Sequence, residues 1–271
     1  MIFAFFKRLL SRTEPVNPRG AEPGDRASST RRPRRGPNPS PKPRTGKGAE
    51  LGIRRDQISQ AAIRTCEILQ RGGFKAYVVG GGVRDSLLGL QPKDFDVATD
   101  ATPEEVQALF RRARIIGRRF KIVHVMFGRE TIETSTFRAL QTDAETDEHG
   151  RVLRDNVYGS QHDDALRRDF TVNALYYDPI ADVVIDELGG VQDLRARVLR
   201  MIGDPATRYR EDPVRMLRTV RFASKLGFAV DPATLAPIRG MADLLENVPS
   251  ARLFDEMLKL LESGHAMACL R

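Results

Sequence analysis

Three consecutive glycines stand between two short apolar stretches. Ala76–Gly80 reads as a strand, Gly80-Gly81-Gly82 as the turn, and Val83–Leu88 as a helix that begins at once. Few backbones accept that order. A strand that delivers the chain to glycines and then to free helical N–H groups lets an anion approach the main chain without meeting a Cβ. Arg84 is placed to reach the same anion. The motif is neither GxGxxG nor a P-loop, and such turns often serve packing only, so its meaning depends on the chemistry of neighbouring segments.

About ten residues on comes Asp94-Phe95-Asp96, at the start of an expected strand over 94–99. Residues two apart on a strand share a face, so the carboxylates converge while Phe95 turns into the core. Two acids this close repel unless a cation lies between them. Mg²⁺ suits the position, because it takes oxygen ligands and keeps room for substrate phosphates. A two-metal site calls for a third carboxylate, and Glu133, on an expected strand over 131–137, is the strand-borne candidate. Zinc chemistry is disfavoured: His124, His149, His162 and His265 form no ligand pattern with Cys66 and Cys269. Two cysteines this far apart suit a reducing compartment, and a cytoplasmic location is expected.

Two further segments carry concentrated charge. Arg167-Arg168-Asp169 suits a triphosphate and its metal, and Asn173 falls on the face of Asp169 if the segment is helical. In Glu211-Asp212-Pro213, Pro213 fits the first turn of a helix expected over 212–226. Along it Arg215, Arg218 and Arg221 form a guanidinium stripe with few acids nearby in sequence, which favours phosphate or base recognition over a solvated face.

The rest of the chain sets these motifs in order. Asp56 is expected to cap a helix over 57–71, and Thr102-Pro103-Glu104-Glu105 marks a helix start. Further helices are expected near 163, over 232–246 and over 249–262, with short strands at 183–186 and 198–202. The formal net charge of +8 is unevenly placed: the first fifty residues hold twelve Lys and Arg, four acids and eight of the sixteen prolines. The remaining body is balanced, so its positive charge is local. The expected division is a disordered basic arm at 1–52, a mixed α/β head at 53–204 and a helical neck at 205–271. The arm suits salt-sensitive contact with polyphosphate backbones. Residues 1–10, MIFAFFKRLL, read as a disordered start, with weak contact to a membrane surface or partner as the second reading. No apolar run approaches the ~20 residues of a membrane span.

GGGVRDSLLG, KDFDVAT, RRDFTVNALYYD and REDPVRMLRTVRFASKLGF, in this order, resemble the class II nucleotidyltransferase family. Its members are CCA-adding tRNA nucleotidyltransferases and bacterial poly(A) polymerases, and the likeness covers roughly 53–262. Gly117-Arg118-Arg119-Phe120, followed by the run through His124, is similar to the poly(A) polymerase pattern. The resemblance implies an α+β fold: a polymerase β-like mixed-sheet head followed by an all-α neck. It implies template-independent addition of AMP from ATP to RNA 3′ ends, with release of pyrophosphate. Asp94 and Asp96 would hold two Mg²⁺ ions, and either Glu133 or Asp169 would complete the acidic centre. Gly81, Gly82 and Arg84 would lie at the triphosphate. Arg168, Asn173, Arg215, Arg218 and Arg221 would contact the incoming nucleotide, with Asp212 and Arg215 able to pair with base edges. Two alternatives stand: a CCA-adding enzyme, or an inactive RNA-binding remnant, against which the intact Asp94/Asp96 pair argues. The family pattern continues into further helical domains that grip RNA, whereas this sequence ends at Arg271.

Overall fold

A computed structural model of the chain describes residues 44–117, 121–139 and 157–270. Its centre is an eight-stranded mixed sheet: β1 (Arg44–Lys47), β2 (Ala76–Val79), β3 (Asp96–Thr99), β4 (Ala113–Ile116), β5 (Ile122–Phe127), β6 (Glu130–Thr136), β7 (Leu175–Asp178) and β8 (Val183–Asp186). The spatial order is β1-β8-β7-β2-β3-β6-β5-β4. Strands β3 and β6 run parallel, and the other neighbours in this sheet are antiparallel. The helices are α1 (Gly48–Leu51), α2 (Gln60–Arg71), α3 (Gly81–Leu87), α4 (Pro103–Leu109), α5 (Gln161–Arg167), α6 (Gly190–Ala196), α7 (Pro205–Glu211), α8 (Val214–Leu226), α9 (Pro232–Leu235), α10 (Ile238–Met241), α11 (Ser250–Leu261) and α12 (Ala266–Leu270). A two-stranded parallel ladder joins β9 (Val198–Leu199) to β10 (Ala229–Val230). The mixed sheet followed by helices is the α+β architecture expected.

Local chemistry explains the helix starts. Thr102 accepts from the Glu105 backbone N–H while Glu105 accepts from the Thr102 N–H, and Pro103 occupies the first helical position of α4. Ser160 and Asp163 make the same reciprocal box at α5. The cap of α2 differs from expectation. Ser59 Oγ accepts from the N–H groups of Ala61 and Ala62, while Asp56 pairs with Arg54 at 2.7 Å. The expected helix over 232–246 breaks into α9, α10 and a 3₁₀ turn, with Pro237 standing before α10.

The folded body begins earlier than residue 53. Strand β1 pairs with β8 from Arg44↔Asp186 to Lys47↔Val183. Its sequence RTGK has no apolar side chain, so burial patterning cannot reveal it; backbone hydrogen bonds hold it at the sheet edge, where polar residues are at home. The remainder of the expected arm, the membrane-contact reading of residues 1–10 and the stretch Arg118-Arg119-Phe120 lie outside the described residues.

The core does not divide near residue 205. One buried cluster runs from Ile53 and Leu69 through Phe170 and Met216 to Leu260 and Cys269. Phe170 and Phe222 meet edge to face at 5.8 Å, fixing α8 against the segment that follows α5. Among the described residues, no helix is long and apolar enough to cross a membrane.

Candidate active site

Sheet register brings the glycine turn and the acids together. Asp96, the first residue of β3, is paired with Val79 on one side and Glu133 on the other. Val79 immediately precedes Gly80, so the turn and the carboxylates emerge at one end of the same strands. Asp94 lies just before β3, and the expected alternation holds in burial: Asp94 and Asp96 are exposed, and Phe95 is buried. Gly82 sits against this segment. A Cβ there would lie 2.9 Å from Phe95 Cδ1 and 3.3 Å from the Asp94 carbonyl oxygen. Gly80 has φ +69°, and a Cβ there would meet Arg168 Nη1 at 3.3 Å. These two glycines hold the acidic segment and Arg168 close to the turn.

The carboxylates feel one another. Although Asp96 keeps a solvent-facing surface, the protein packed around its carboxyl desolvates it; with Glu133 and Asp94 acting in the same direction and Arg168 opposing them, it is pushed up to about 6. Among the described residues, no three His, Cys, Asp or Glu side chains are gathered tightly enough to form a ready-made metal cage. The donors are hard carboxylate oxygens whose repulsion a divalent cation would relieve, which fits Mg²⁺ better than a soft metal.

The two candidates for a third carboxylate occupy different surroundings. Glu133 is exposed, in register with Asp96, and its Oε1 lies 3.7 Å from His124 Nε2. Asp169 is buried and fully engaged. It accepts from Arg218 Nε at 2.8 Å, from Asn173 Nδ2 at 3.0 Å and from the Phe170 N–H at 2.8 Å. Although burial alone would raise its carboxyl, Arg218 and Asn173 carry it below the usual carboxylate range. Asp169 therefore acts as the anchor of a buried network, and Glu133 stands beside the exposed pair.

Several arginines expected at a ligand are held by protein groups instead. Arg84 is 3% exposed; it donates to Asp85 Oδ1 at 2.7 Å and to Asn173 Oδ1 at 2.6 Å, and lies over the Phe222 ring at 5.2 Å. Asn173 then joins Arg84 to Asp169 and so to Arg218. The chain Asp85–Arg84–Asn173–Asp169–Arg218 ties three of the four sequence motifs into one buried polar network. The Arg215, Arg218 and Arg221 stripe is also neutralised. Arg215 reaches Glu211 at 2.9 Å, Arg218 reaches Asp169, and Arg221 reaches Glu256 at 2.5 Å. The expected shortage of acids near this stripe is corrected: Asp169 and Glu256 arrive from distant parts of the chain, and Glu211 from one turn earlier. Arg218 and Arg221 also stack on Phe222, at 5.2 and 4.4 Å. Asp212 pairs with Arg252 at 3.0 Å and lines a cavity of about 190 Å³ with Arg218, Asp255 and Lys259. Gly81 remains partly open at the start of α3.

Two organising residues stand outside the motifs that the sequence singles out. Asp164 is fully buried and accepts from Tyr176 Oη at 2.7 Å, Arg167 Nε at 2.8 Å and Arg168 Nη2 at 3.0 Å. Its spacing three and four residues before the two arginines is the local signal that could have found it. Arg208 is buried on α7 and donates to main-chain carbonyls of the Arg167-Arg168 turn, a contact no local pattern announces.

Residues 76–200 match the family described as "Poly A polymerase head domain". Residues 227–271 match "Probable RNA and SrmB- binding site of polymerase A". The chain is 52% identical over 232 residues to poly(A) polymerase I of Haemophilus influenzae, covering 83% of this chain and 51% of that protein. It is 38% identical over 210 residues to the CCA-adding enzyme of Bacillus pumilus, covering 78% and 52%. Among solved structures, the Bacillus stearothermophilus CCA-adding enzyme in complex with CTP superposes with a TM-score of 0.68 at 36% identity, over 79% of this chain and 51% of that one. The chain thus spans about half the length of the curated relatives it matches.

Proposed function

The chain belongs to the poly(A) polymerase and CCA-adding nucleotidyltransferase family, and we propose that it transfers AMP from ATP to RNA 3′ ends without a template. The observation that carries the chemistry is the register that sets Asp96 beside Glu133, with Asp94 two residues away and Arg168 as the opposing charge. The choice of adenylate is supported by 52% identity to a poly(A) polymerase against 38% to a CCA-adding enzyme. RNA as the second substrate is supported by the match of residues 227–271. A cytoplasmic site of action goes with these substrates.

In this reading the 3′-hydroxyl oxygen of RNA attacks the α-phosphorus of ATP and releases its proton to water. The bond from that phosphorus to the bridging oxygen breaks, and pyrophosphate leaves with the electron pair. Asp94 and Asp96, with Glu133 as the third carboxylate, are the residues that would hold Mg²⁺. Bound there, Mg²⁺ supplies Lewis-acid polarisation of the phosphoryl oxygens and lowers the pKa of the attacking hydroxyl. Gly81, partly open, presents the start of α3 to a phosphate, and Gly82 lets the acidic segment pack close beside it. Arg168, held by Asp164 and Tyr176, contributes a fixed positive charge beside the acids. Arg84, Asn173, Asp169, Arg218 and Arg221 act by holding these elements in place, whereas Asp212 and Arg215 border the space where a base would be read.

The test uses the full chain, a short labelled RNA, Mg²⁺ and each nucleoside triphosphate separately, with product length as readout. Long products with ATP and none with CTP are expected. Addition of a few nucleotides using CTP followed by ATP would assign CCA synthesis instead, and absence of incorporation would overturn the reading. Asp94→Ala and Asp96→Ala are each expected to lower incorporation by about 10³-fold or more with the fold intact.

A further inference from the structure

Arg208 touches both halves of the candidate site. Its Nη2 donates to the carbonyl oxygens of Arg167 at 2.6 Å and Arg168 at 2.7 Å, which end α5. These are C-terminal carbonyls that the helix itself leaves without partners, and a cation there also meets the negative end of the helix. Its Nη1 donates to Glu211 Oε2 at 2.7 Å. The same Glu211 oxygen accepts from Arg215 Nη1 at 2.9 Å, and Arg215 Nη1 also donates to the Arg208 carbonyl at 2.8 Å. One guanidinium therefore ties the turn that carries Arg168 to Glu211 at the end of its own helix α7, and Glu211 passes the contact on to Arg215 at the start of α8.

The arrangement is a poor device for stability. Arg208 is buried, and its Nε has no hydrogen-bond partner among the described residues. Burying a guanidinium with a donor left over costs free energy that an apolar side chain would not. What the side chain does supply is geometry. A planar fork bonded at both ends fixes the distance and angle between its two sets of acceptors, which a flexible ammonium or an apolar contact cannot do.

We propose that Arg208 is a positioning residue that sets the spacing between the polyphosphate side of the site, at Arg168, and the base-reading side, at Asp212 and Arg215. It thereby sharpens the choice of base without touching the nucleotide. This inference rests on the nucleotide-transfer reading of the site. With the spacing fixed, a base of the wrong size or hydrogen-bond pattern cannot be accommodated by a small shift of α8 relative to the RRD turn. With the spacing loosened, the site accepts ATP less tightly and rejects CTP less strictly, while the carboxylates on the sheet are undisturbed.

The experiment compares the full wild-type chain with Arg208→Lys and Glu211→Gln. Lysine keeps the charge and one carbonyl contact but loses the fork; the Glu211 change loosens Arg208 and Arg215 from a side chain that is half exposed. Calorimetric titration with ATP and with CTP in the absence of RNA reads binding without turnover, and thermal melting reads folding. Expected results are near-native melting midpoints, an ATP-to-CTP affinity ratio narrowed by about tenfold in Arg208→Lys, and a smaller narrowing in Glu211→Gln. In the extension assay, KM for ATP should rise while kcat moves little. An unchanged ratio in a natively melting Arg208→Lys chain overturns the proposal. Should that variant melt early, an unchanged ratio in Glu211→Gln overturns it and a narrowed one supports it. Wild-type chain that binds neither nucleotide overturns the transfer reading and this inference with it, whereas normal wild-type binding beside indifferent variants overturns this inference alone.

Discussion

Asp164 holds two arginines and a tyrosine with one carboxylate, and it does so without any exposure to water. Burial pushes its carboxyl up, yet Arg168 and Arg167 outweigh that and hold it at about 2. The ordinary aspartate value is ~3.9. Because the folded value is the lower one, the stabilisation is fully present above about pH 4 and disappears as the pH falls toward 2. Asp164→Asn should cost roughly 3 kcal/mol at pH 7, since two guanidiniums lose their charge partner. It should also flatten the dependence of melting temperature on pH between about 5 and 2.5. Parallel melting curves for variant and wild type across that range would contradict the assignment. The same scale shows why residue roles are harder to read than residue motifs. Arg84 and Arg168 both carry a full charge beside the glycine turn. One is sealed under Phe222 and the other faces Asp96, and only neighbours distant in sequence decide which is which.

At the scale of elements, helices with strong caps were legible and unpatterned strands were not. Thr102 and Pro103 announce α4 because the capping box is a local hydrogen-bond exchange. Strand β7 escaped because Leu175, Tyr176 and Tyr177 are buried on both faces and show no alternation. Helix α8 was legible as a helix, but its guanidinium stripe reads in sequence as facing a ligand. Two of its three guanidiniums reach other elements: Arg218 meets Asp169 of the RRD turn, and Arg221 meets Glu256 of α11. Arg221 and Glu256 are both buried, so Glu256→Ala leaves an uncompensated charge between α8 and α11. A loss of about 3 kcal/mol is expected, read as a fall in melting temperature of roughly 10 °C. A variant that melts within a degree or two of wild type would show that the pair contributes nothing net.

For the whole molecule, the net charge of +8 belongs to the first fifty residues, and the balanced body carries the candidate site. Deleting residues 1–43 is expected to weaken RNA affinity mainly at low salt, where phosphate contacts count most, and to leave the ATP-over-CTP preference unchanged. Deleting residues 1–51 should also lower the melting temperature, because it removes β1 and α1 and uncovers the edge of β8. Equal salt dependence in the full and shortened chains would count against the arm as an RNA contact. The sequence by itself determined the local features: the glycine turn, the alternation that buries Phe95 between two exposed acids, the helix starts, and four motifs specific enough to identify a family. Those features depend on neighbours within a few residues, where spacing and chemistry suffice. Tertiary structure decided which carboxylate lies beside Asp96 and which arginines are paired within the fold. Strand register puts Glu133 beside Asp96, and burial with distant partners locks Asp169, Arg84, Arg218 and Arg221 into a neutral network. Such choices depend on desolvation and on charges brought together across many residues, which no local spacing encodes.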